Sequence, residues 1–274
     1  MWRLTGFADE IGPDLNEQLD TLATEGIKYL ELRGVWGKGV LTLSDDEVAT
    51  LKEALAARSI GVSSIGSPIG KIKITDPFEP HLEQFRRALW CAQVLEAPYI
   101  RLFSFFVPAG EADAHRDEVL RRMRALADEA RGSGVTLVHE NEKHIYGDIP
   151  SRCLDIVRSV DQPHLRIAWD PANFVQCGVR PYTAGYAELR PYIEYVHVKD
   201  ARLETGKVTV AGAGDGEVRE TIRALRDSGF DGFFSLEPHI NKAPEYAHLT
   251  APERFVVAAR AFKELLREEG IAWA

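Results

Sequence analysis

The 274-residue sequence contains only three cysteines, Cys91, Cys153 and Cys177, and none of them form a C-x-x-C motif. An odd number of widely spaced cysteines does not support a disulfide framework, so we expect reduced thiols in a reducing compartment. The N-terminus lacks a signal-peptide pattern, and no apolar run approaches the ~18 residues needed to span a bilayer. We therefore expect a cytoplasmic protein with no membrane partner.

The sequence has fewer positive than negative side chains: 33 Lys and Arg residues against 42 Asp and Glu residues, which gives a formal net charge of -9. Nucleic-acid binding depends on contacts from Lys and Arg to phosphate, so this balance argues against DNA or RNA as the main partner. Hydrophobic residues make up 45% of the chain. A chain of this length and composition can bury a large core without a structural metal, so a bound metal would serve chemistry.

Short apolar segments alternate with longer amphipathic segments along the whole chain. Eight of the short segments have the pattern of strands buried on both faces of a parallel sheet. They are residues 2–7, 29–32, 61–65, 99–103, 136–140, 165–169, 195–198 and 233–237. Helical patterns follow the capping sequences at Asp14 and Ser44 and cover residues 78–95, 116–131, 149–160, 218–227 and 250–268, with a weak candidate at 182–189.

Eight units of strand and helix, each of roughly 30 residues, fit a closed barrel better than an open sheet. No linker, charge run or low-complexity segment divides the chain. We therefore predict an α/β fold, a single (β/α)₈ TIM barrel spanning residues 1–274. In such barrels the active site lies on the loops that follow the strands.

Ionisable side chains close the last four predicted strands. Glu140, Asp170, His197 and Glu237 each follow an apolar run, where a charge is costly unless it is paired or bound to a metal. Successive strands of a barrel would bring the four to one rim, where three carboxylates and an imidazole can complete a site for one divalent cation. We favour Mn²⁺, with Mg²⁺, Co²⁺ and Zn²⁺ as other candidates; a structural ion network with Arg or Lys is the alternative.

The motifs around these residues resemble the sugar phosphate isomerase/epimerase superfamily, the xylose-isomerase-like barrels. The resemblance rests on His-Glu-Asn at 139–141, Trp-Asp-Pro-Ala-Asn-Phe at 169–174, His-Val-Lys-Asp-Ala-Arg at 197–202, Ala-Gly-Ala-Gly-Asp-Gly at 211–216 and Leu-Glu-Pro-His at 236–239. It extends over nearly the whole chain. It implies a small-molecule carbohydrate substrate and allows a homo-oligomer, since dimers and tetramers are common among such barrels.

The resemblance also implies that Glu140 and Glu237 are both metal ligands and acid/base groups, with Asp170 and His197 as the remaining ligands. The metal would stabilise an enediolate while the two glutamates move a proton beside a ketone. Return of the proton to the other face gives epimerisation, and return to the neighbouring carbon gives isomerisation. We expect such an isomerase or epimerase of a keto-sugar or related polyhydroxy ketone. The main alternative is a lyase, either an inosose- or dehydroshikimate-type dehydratase or a C-glycoside-cleaving subunit.

Two more distant alternatives belong to other functional classes. An apurinic-site endonuclease of the same superfamily would carry extra histidines after strands three and four, where this chain has Ser67 and Ser104. Asn173 replaces a further histidine, which several epimerases also carry at this position. The other alternative is a non-catalytic sugar-binding barrel, which would bring no solvent deuterium into a hydroxy-ketone.

Residues near these motifs are candidates for binding the substrate. They are Asn173, Lys199, Arg202, Glu31, His144, Ser67 and His239. Lys199 and Arg202 would bind substrate oxygens, with a surface pair as the alternative. Glu31 lies in the middle of a strand and should point inward, toward the substrate or toward groups that support the ligands. The glycine motif at 212–216 lacks the G-x-G-x-x-G order, so we expect a loop beside the pocket and no nucleotide site.

Overall fold

The computed structural model describes residues 1–274 except the side chain of Lys242. Eight parallel strands form the barrel: β1 (Arg3–Gly6), β2 (Tyr29–Leu32), β3 (Gly61–Gly66), β4 (Tyr99–Leu102), β5 (Thr136–Glu140), β6 (Leu165–Trp169), β7 (Ile193–Val198) and β8 (Phe233–Leu236). Neighbours from β2 to β8 are hydrogen-bonded in chain order, β8 pairs with β1, and β1 lies beside β2. The nearly closed ring confirms the predicted (β/α)₈ TIM barrel.

Helices lie between the strands and cover the outside of the barrel. They are α1 (Leu15–Thr24), α2 (Asp45–Ala57), α3 (Glu79–Val94), α4 (Ala112–Ala130), α5 (Pro150–Val160), α6 (Pro171–Gln176), α7 (Ala187–Leu189), α8 (Val218–Asp227) and α9 (Ala251–Glu268). Short 3₁₀ turns occupy Ala8–Glu10, Val40–Thr42, Arg190–Tyr192, Ile240–Lys242 and Pro244–Tyr246, and a π-helical turn, Tyr182–Tyr186, leads into α7. Two antiparallel ribbons pair Gly34–Val35 with Lys38–Gly39 and Asp200–Ala201 with Val208–Thr209.

The helix starts follow the predicted capping chemistry with two differences. Ser44 and Glu47 form a reciprocal capping box, whereas Asp14 only accepts a hydrogen bond from the backbone of Glu17. The sequence pattern missed α6, which starts directly after Asp170 because this carboxylate accepts from the backbone N–H three residues on. A helix of six residues is too short to show a periodic pattern.

Aromatic side chains close the barrel interior below its C-terminal end. Tyr195 and Phe233 pack with Val138 and Ala168, and Tyr29 and Tyr99 cover this cluster from the N-terminal side. The Tyr195 hydroxyl is 2.9 Å from the Ser63 hydroxyl, which satisfies both buried groups. The interior is therefore a packed core, and a ligand can enter only from the opposite, C-terminal end.

No helix among the described residues combines the length and the apolar character needed to cross a bilayer.

Gly70 holds the loop after β3 against the loop after β4. Its φ is +88°, and an added Cβ would overlap the backbone carbonyl of Phe103. Gly132 has a similar φ of +77°, but no atom lies within 4 Å of its Cβ position. We expect Gly132→Ala to lower the free energy of unfolding by about 1 kcal/mol, from backbone strain alone. Gly70→Ala should lower it by about 3 kcal/mol because the overlap adds to the strain. Urea unfolding measures both, and equal losses would contradict this account.

Candidate metal centre

Glu140, Asp170, His197 and Glu237 converge at the C-terminal end of the barrel. One donor atom from each lies within 4.8 Å of the other three, and the four side chains are at most 3% exposed. Strand geometry explains the convergence, because residues two apart on a strand share one face. The packed cluster of Val138, Ala168, Tyr195 and Phe233, with Tyr29 and Tyr99 against it, forms the floor of the barrel interior. Each ligand candidate lies two or four residues after one of the first four, so all four candidates point into the barrel above that floor.

Three atoms of this group lack a hydrogen bond within the described part of the chain: the Nδ1 and Nε2 of His197 and the Oδ2 of Asp170. The Nε2 lies toward Glu31, whereas the Nδ1 and the Asp170 Oδ2 lie 3.8 Å apart. The same Nδ1 is 3.3 Å from Glu140 Oε1 and 3.9 Å from Glu237 Oε2. A buried imidazole nitrogen without a hydrogen bond is costly, and one cation between this Nδ1 and the three carboxylates would satisfy it. A set of three carboxylates and one imidazole fits a single divalent ion.

The pKa values of Asp170 and Glu140 are shifted because these carboxylates are buried close to other charged groups. Burial raises the pKa of Asp170 to about 6, and the charges of Glu140 and Glu237 add to this effect. Burial also raises the pKa of Glu140, but His197 and other cationic neighbours outweigh it, so its pKa lies below the ordinary value. Proton binding to Asp170 therefore competes with cation binding below about pH 6.

Glu31 lies behind His197 and not beside the cavity. Its Oε2 is 3.4 Å from His197 Nε2, and both side chains are fully buried. The prediction that Glu31 points inward agrees with this position, where the carboxylate faces the ligand candidate His197 and not the cavity. A carboxylate on the far nitrogen of a ligating imidazole fixes the tautomer and orientation of the ring.

Two asparagines connect the ligands to each other. The Asn141 side chain donates to the backbone carbonyl of Asp170 at 2.8 Å and accepts from its backbone N–H at 3.0 Å. The Asn173 amide donates to Glu140 Oε1 at 2.8 Å and to the Asn141 carbonyl at 2.9 Å. These hydrogen bonds hold the motif around residue 140 against the motif around residue 170. Asn173 contacts the ligand candidate Glu140 and also lines the cavity.

Each of the two glutamates also meets an arginine that we did not assign to the site from the sequence. Arg101 donates to Glu140 Oε2 at 2.8 Å and to the Gly66 carbonyl at 2.9 Å. Arg33 donates to Glu237 Oε1 at 3.2 Å. Arg101 could have been assigned to the site from the sequence, because it is a charged residue inside the buried strand β4, two residues after Tyr99 of the floor.

A cavity of about 460 Å³ leads from the surface to this group. The buried side chains of Asn173 and Lys199 and the more exposed side chain of His239 line it. The Lys199 ammonium donates to Glu237 Oε2 at 2.6 Å and lies 2.8 Å from Asp170 Oδ2. His239 Nε2 lies 3.6 Å from Glu237 Oε1. Three of the predicted substrate-binding residues thus stand between the ligand candidates and the cavity.

The structure does not bring Arg202, His144 and Ser67 into the cavity. Arg202 is exposed on the turn of the ribbon after β7, and its backbone N–H donates to the Lys207 carbonyl. His144 is exposed and lines a separate surface hollow. Ser67 is buried, and its hydroxyl donates to the Arg101 carbonyl at 2.5 Å. These positions depend on loop conformation, which the sequence pattern does not determine.

The glycine motif wraps around a buried carboxylate. Asp200 accepts hydrogen bonds from the backbone N–H groups of Gly212, Gly214 and Gly216 at 2.8 to 3.0 Å. A Cβ at residue 214 or 216 would collide with this carboxylate. The motif therefore anchors the ribbon after β7.

Glu31→Gln tests the support of His197. We expect divalent-ion affinity to fall by about 10- to 100-fold, because the amide no longer fixes the imidazole as a carboxylate does. Isothermal titration of the purified protein with Mn²⁺ or Zn²⁺ measures this. Glu96→Gln, at an exposed carboxylate paired with Lys52, is the matched control. An unchanged affinity in Glu31→Gln would contradict the orienting role.

His139 anchors the loop after β5. Its Nε2 is 2.9 Å from the Ser104 hydroxyl, which also accepts from the Gly147 N–H at 2.7 Å. Burial lowers the pKa of His139 to about 4. Its folded pKa is thus depressed relative to about 6.5 in the unfolded chain, so the unfolded state binds more protons between these values. The resulting stability is present above pH 6.5 and is lost as the pH falls toward 4.

We therefore expect the wild-type protein to lose about 2 kcal/mol more stability than His139→Gln between pH 7 and pH 5. Urea unfolding at both pH values measures the difference. The exposed His248 offers the control substitution, His248→Gln, whose pH dependence should match the wild type. Parallel losses in the wild type and His139→Gln would refute the assignment.

Comparisons with known proteins identify the family and the fold. The family described as xylose isomerase-like TIM barrel matches residues 19–271. A curated relative, the 2-epi-5-epi-valiolone 7-phosphate 2-epimerase of an Actinoplanes species, is 36% identical over 100 residues, which are 36% of this chain and 35% of the relative. The match thus spans about a third of that relative's length.

Two solved structures share the fold at 17% identity. One is a D-tagatose 3-epimerase-like protein, with a TM-score of 0.78 over 98% of this chain and 100% of that one. The other is the IOLI protein with a binding zinc atom, with a TM-score of 0.79 over 97% and 98% of the two chains. The chain described here belongs to the xylose isomerase-like TIM barrel family.

Proposed function

We propose that this protein is a divalent-metal-dependent isomerase or epimerase of a keto-sugar or related polyhydroxy ketone. The observation that carries the proposal is the convergence of Glu140, Asp170, His197 and Glu237 beneath a cavity that Asn173, Lys199 and His239 line. The cavity volume of about 460 Å³ lies within the range usual for small-molecule sites. The epimerase names of a relative and of a structural neighbour support this class of reaction.

The four ligand candidates would hold one divalent ion, which supplies Lewis-acid chemistry to a carbonyl and a neighbouring hydroxyl. We favour Mn²⁺ from the ligand set, with Mg²⁺, Co²⁺ and Zn²⁺ as alternatives; one structural neighbour with zinc and another with magnesium support Zn²⁺ and Mg²⁺ among these.

The protein's own groups would move the proton. Glu140 on β5 and Glu237 after β8 are separated by two strands around the barrel, so they approach a bound substrate from different directions. One carboxylate removes the proton beside the ketone, and the other returns a proton to the opposite face or the neighbouring carbon. Lys199 lines the cavity and would donate a hydrogen bond to a substrate oxygen. Asn173 also lines it, and because its amide N–H groups bind Glu140 and Asn141, its Oδ1 would accept a hydrogen bond from a substrate hydroxyl.

The test is a panel of keto-sugars and inososes in D₂O with added Mn²⁺, followed by NMR. We expect solvent deuterium to enter beside the carbonyl of the accepted substrate. Glu140→Gln and Glu237→Gln should each reduce this exchange by about 10²- to 10⁴-fold, the usual contribution of general acid–base groups. Metal content, measured on each variant, separates the loss of a base from the loss of a ligand.

Glu53→Gln is the matched control, because Glu53 is an exposed carboxylate on α2. Near-full exchange in either active-site variant would show that its glutamate is not an acid/base group. Loss of water from the labelled substrate would instead assign the protein to the dehydratases. Turnover without deuterium entry would point to a hydride shift.

A further inference from the structure

Two exposed lysines stand at the mouth of the cavity. Lys143 follows β5 and Lys207 lies in the ribbon after β7, and both line the cavity outside the inner residues Asn173 and Lys199. Neither belongs to the ligand group or touches it.

Gln176 holds the two lysine-bearing loops together. Its Oε1 accepts from the Lys143 ammonium at 2.9 Å, and its Nε2 donates to the Gly206 carbonyl at 3.0 Å. Gly206 directly precedes Lys207 and turns the ribbon with a φ of +66°. One side chain at the end of α6 thus connects the Lys143 ammonium to the backbone beside Lys207, at the same mouth of the cavity.

The charge at the mouth is positive although the chain as a whole carries a formal charge of -9. The single carboxylate there, Glu142, is shared between Lys71 at 3.5 Å and Lys143 at 3.7 Å. Lys207 forms no ion pair among the described residues. Two lysines therefore exceed the negative charge available to them, which favours an anionic ligand.

We propose that Lys143 and Lys207 bind the phosphate group of a phosphorylated keto-sugar or polyhydroxy ketone. Lysine ammonium groups bind phosphate as mobile point charges, and exposed ones can follow the oxygens of a phosphate monoester. The keto end of the same molecule would reach Lys199 and the metal centre, and this part of the inference rests on the proposed function.

The test compares a sugar-alcohol phosphate with its parent alcohol, D-glucitol 6-phosphate against D-glucitol, by isothermal titration of the Mn²⁺-loaded protein. Neither compound has a carbonyl, so binding is measured without turnover. We expect the phosphate to bind more tightly, and Lys143→Ala and Lys207→Ala each to weaken its binding by about tenfold, as for loss of one charge-assisted hydrogen bond. Affinity for D-glucitol should not change.

Lys28→Ala is the matched control, because Lys28 is an exposed lysine next to β2 at the opposite end of the barrel. Circular dichroism confirms that each variant is folded. Equal affinity for the two compounds, or a double variant that binds the phosphate like the wild type, would overturn the proposal. If the lysines prove selective while no keto compound exchanges deuterium, the proposed reaction fails and the phosphate subsite stands.

Discussion

Three carboxylates buried around one point are the constraint on which the rest of the site depends. Like charges at such distances repel strongly in a low-dielectric interior, so each carboxylate needs a fixed positive neighbour. Arg101 supplies it for Glu140, and Lys199 supplies it for Asp170 and Glu237. The Nδ1 of His197 still lacks a hydrogen bond in the described residues. It lies 3.3 to 3.9 Å from oxygens of Glu140, Asp170 and Glu237, an arrangement that a divalent cation would complete.

The barrel makes this arrangement possible through strand periodicity. Side chains at the floor and at the rim alternate with outward residues, so the packed cluster around Tyr195 fixes the height at which His197 stands. Contacts between the loops after the strands then hold the residues around the rim in place. Asp200 anchors the ribbon after β7 through the glycine motif, and Gln176 connects this ribbon to the loop after β5.

The strand ends could be predicted from the sequence because their position is set by pattern and register. Glu140 and His197 lie at the ends of buried strands, and register in a parallel barrel brings such residues to one rim. Arg33 and Lys207 lie on loops, where the direction of a long side chain depends on tertiary contacts. The sequence also could not show whether Glu31 faces His197 or a substrate, because a mid-strand carboxylate that points inward can do either.

The central claim is tested most directly by an anomalous difference map from a crystal grown with Mn²⁺. The account predicts one strong peak per chain, at about 2.0 to 2.4 Å from His197 Nδ1 and from one oxygen each of Glu140, Asp170 and Glu237. A peak elsewhere would contradict it. So would a saturated crystal in which the Lys199 ammonium still bridges Asp170 and Glu237 and no ion lies among the four side chains.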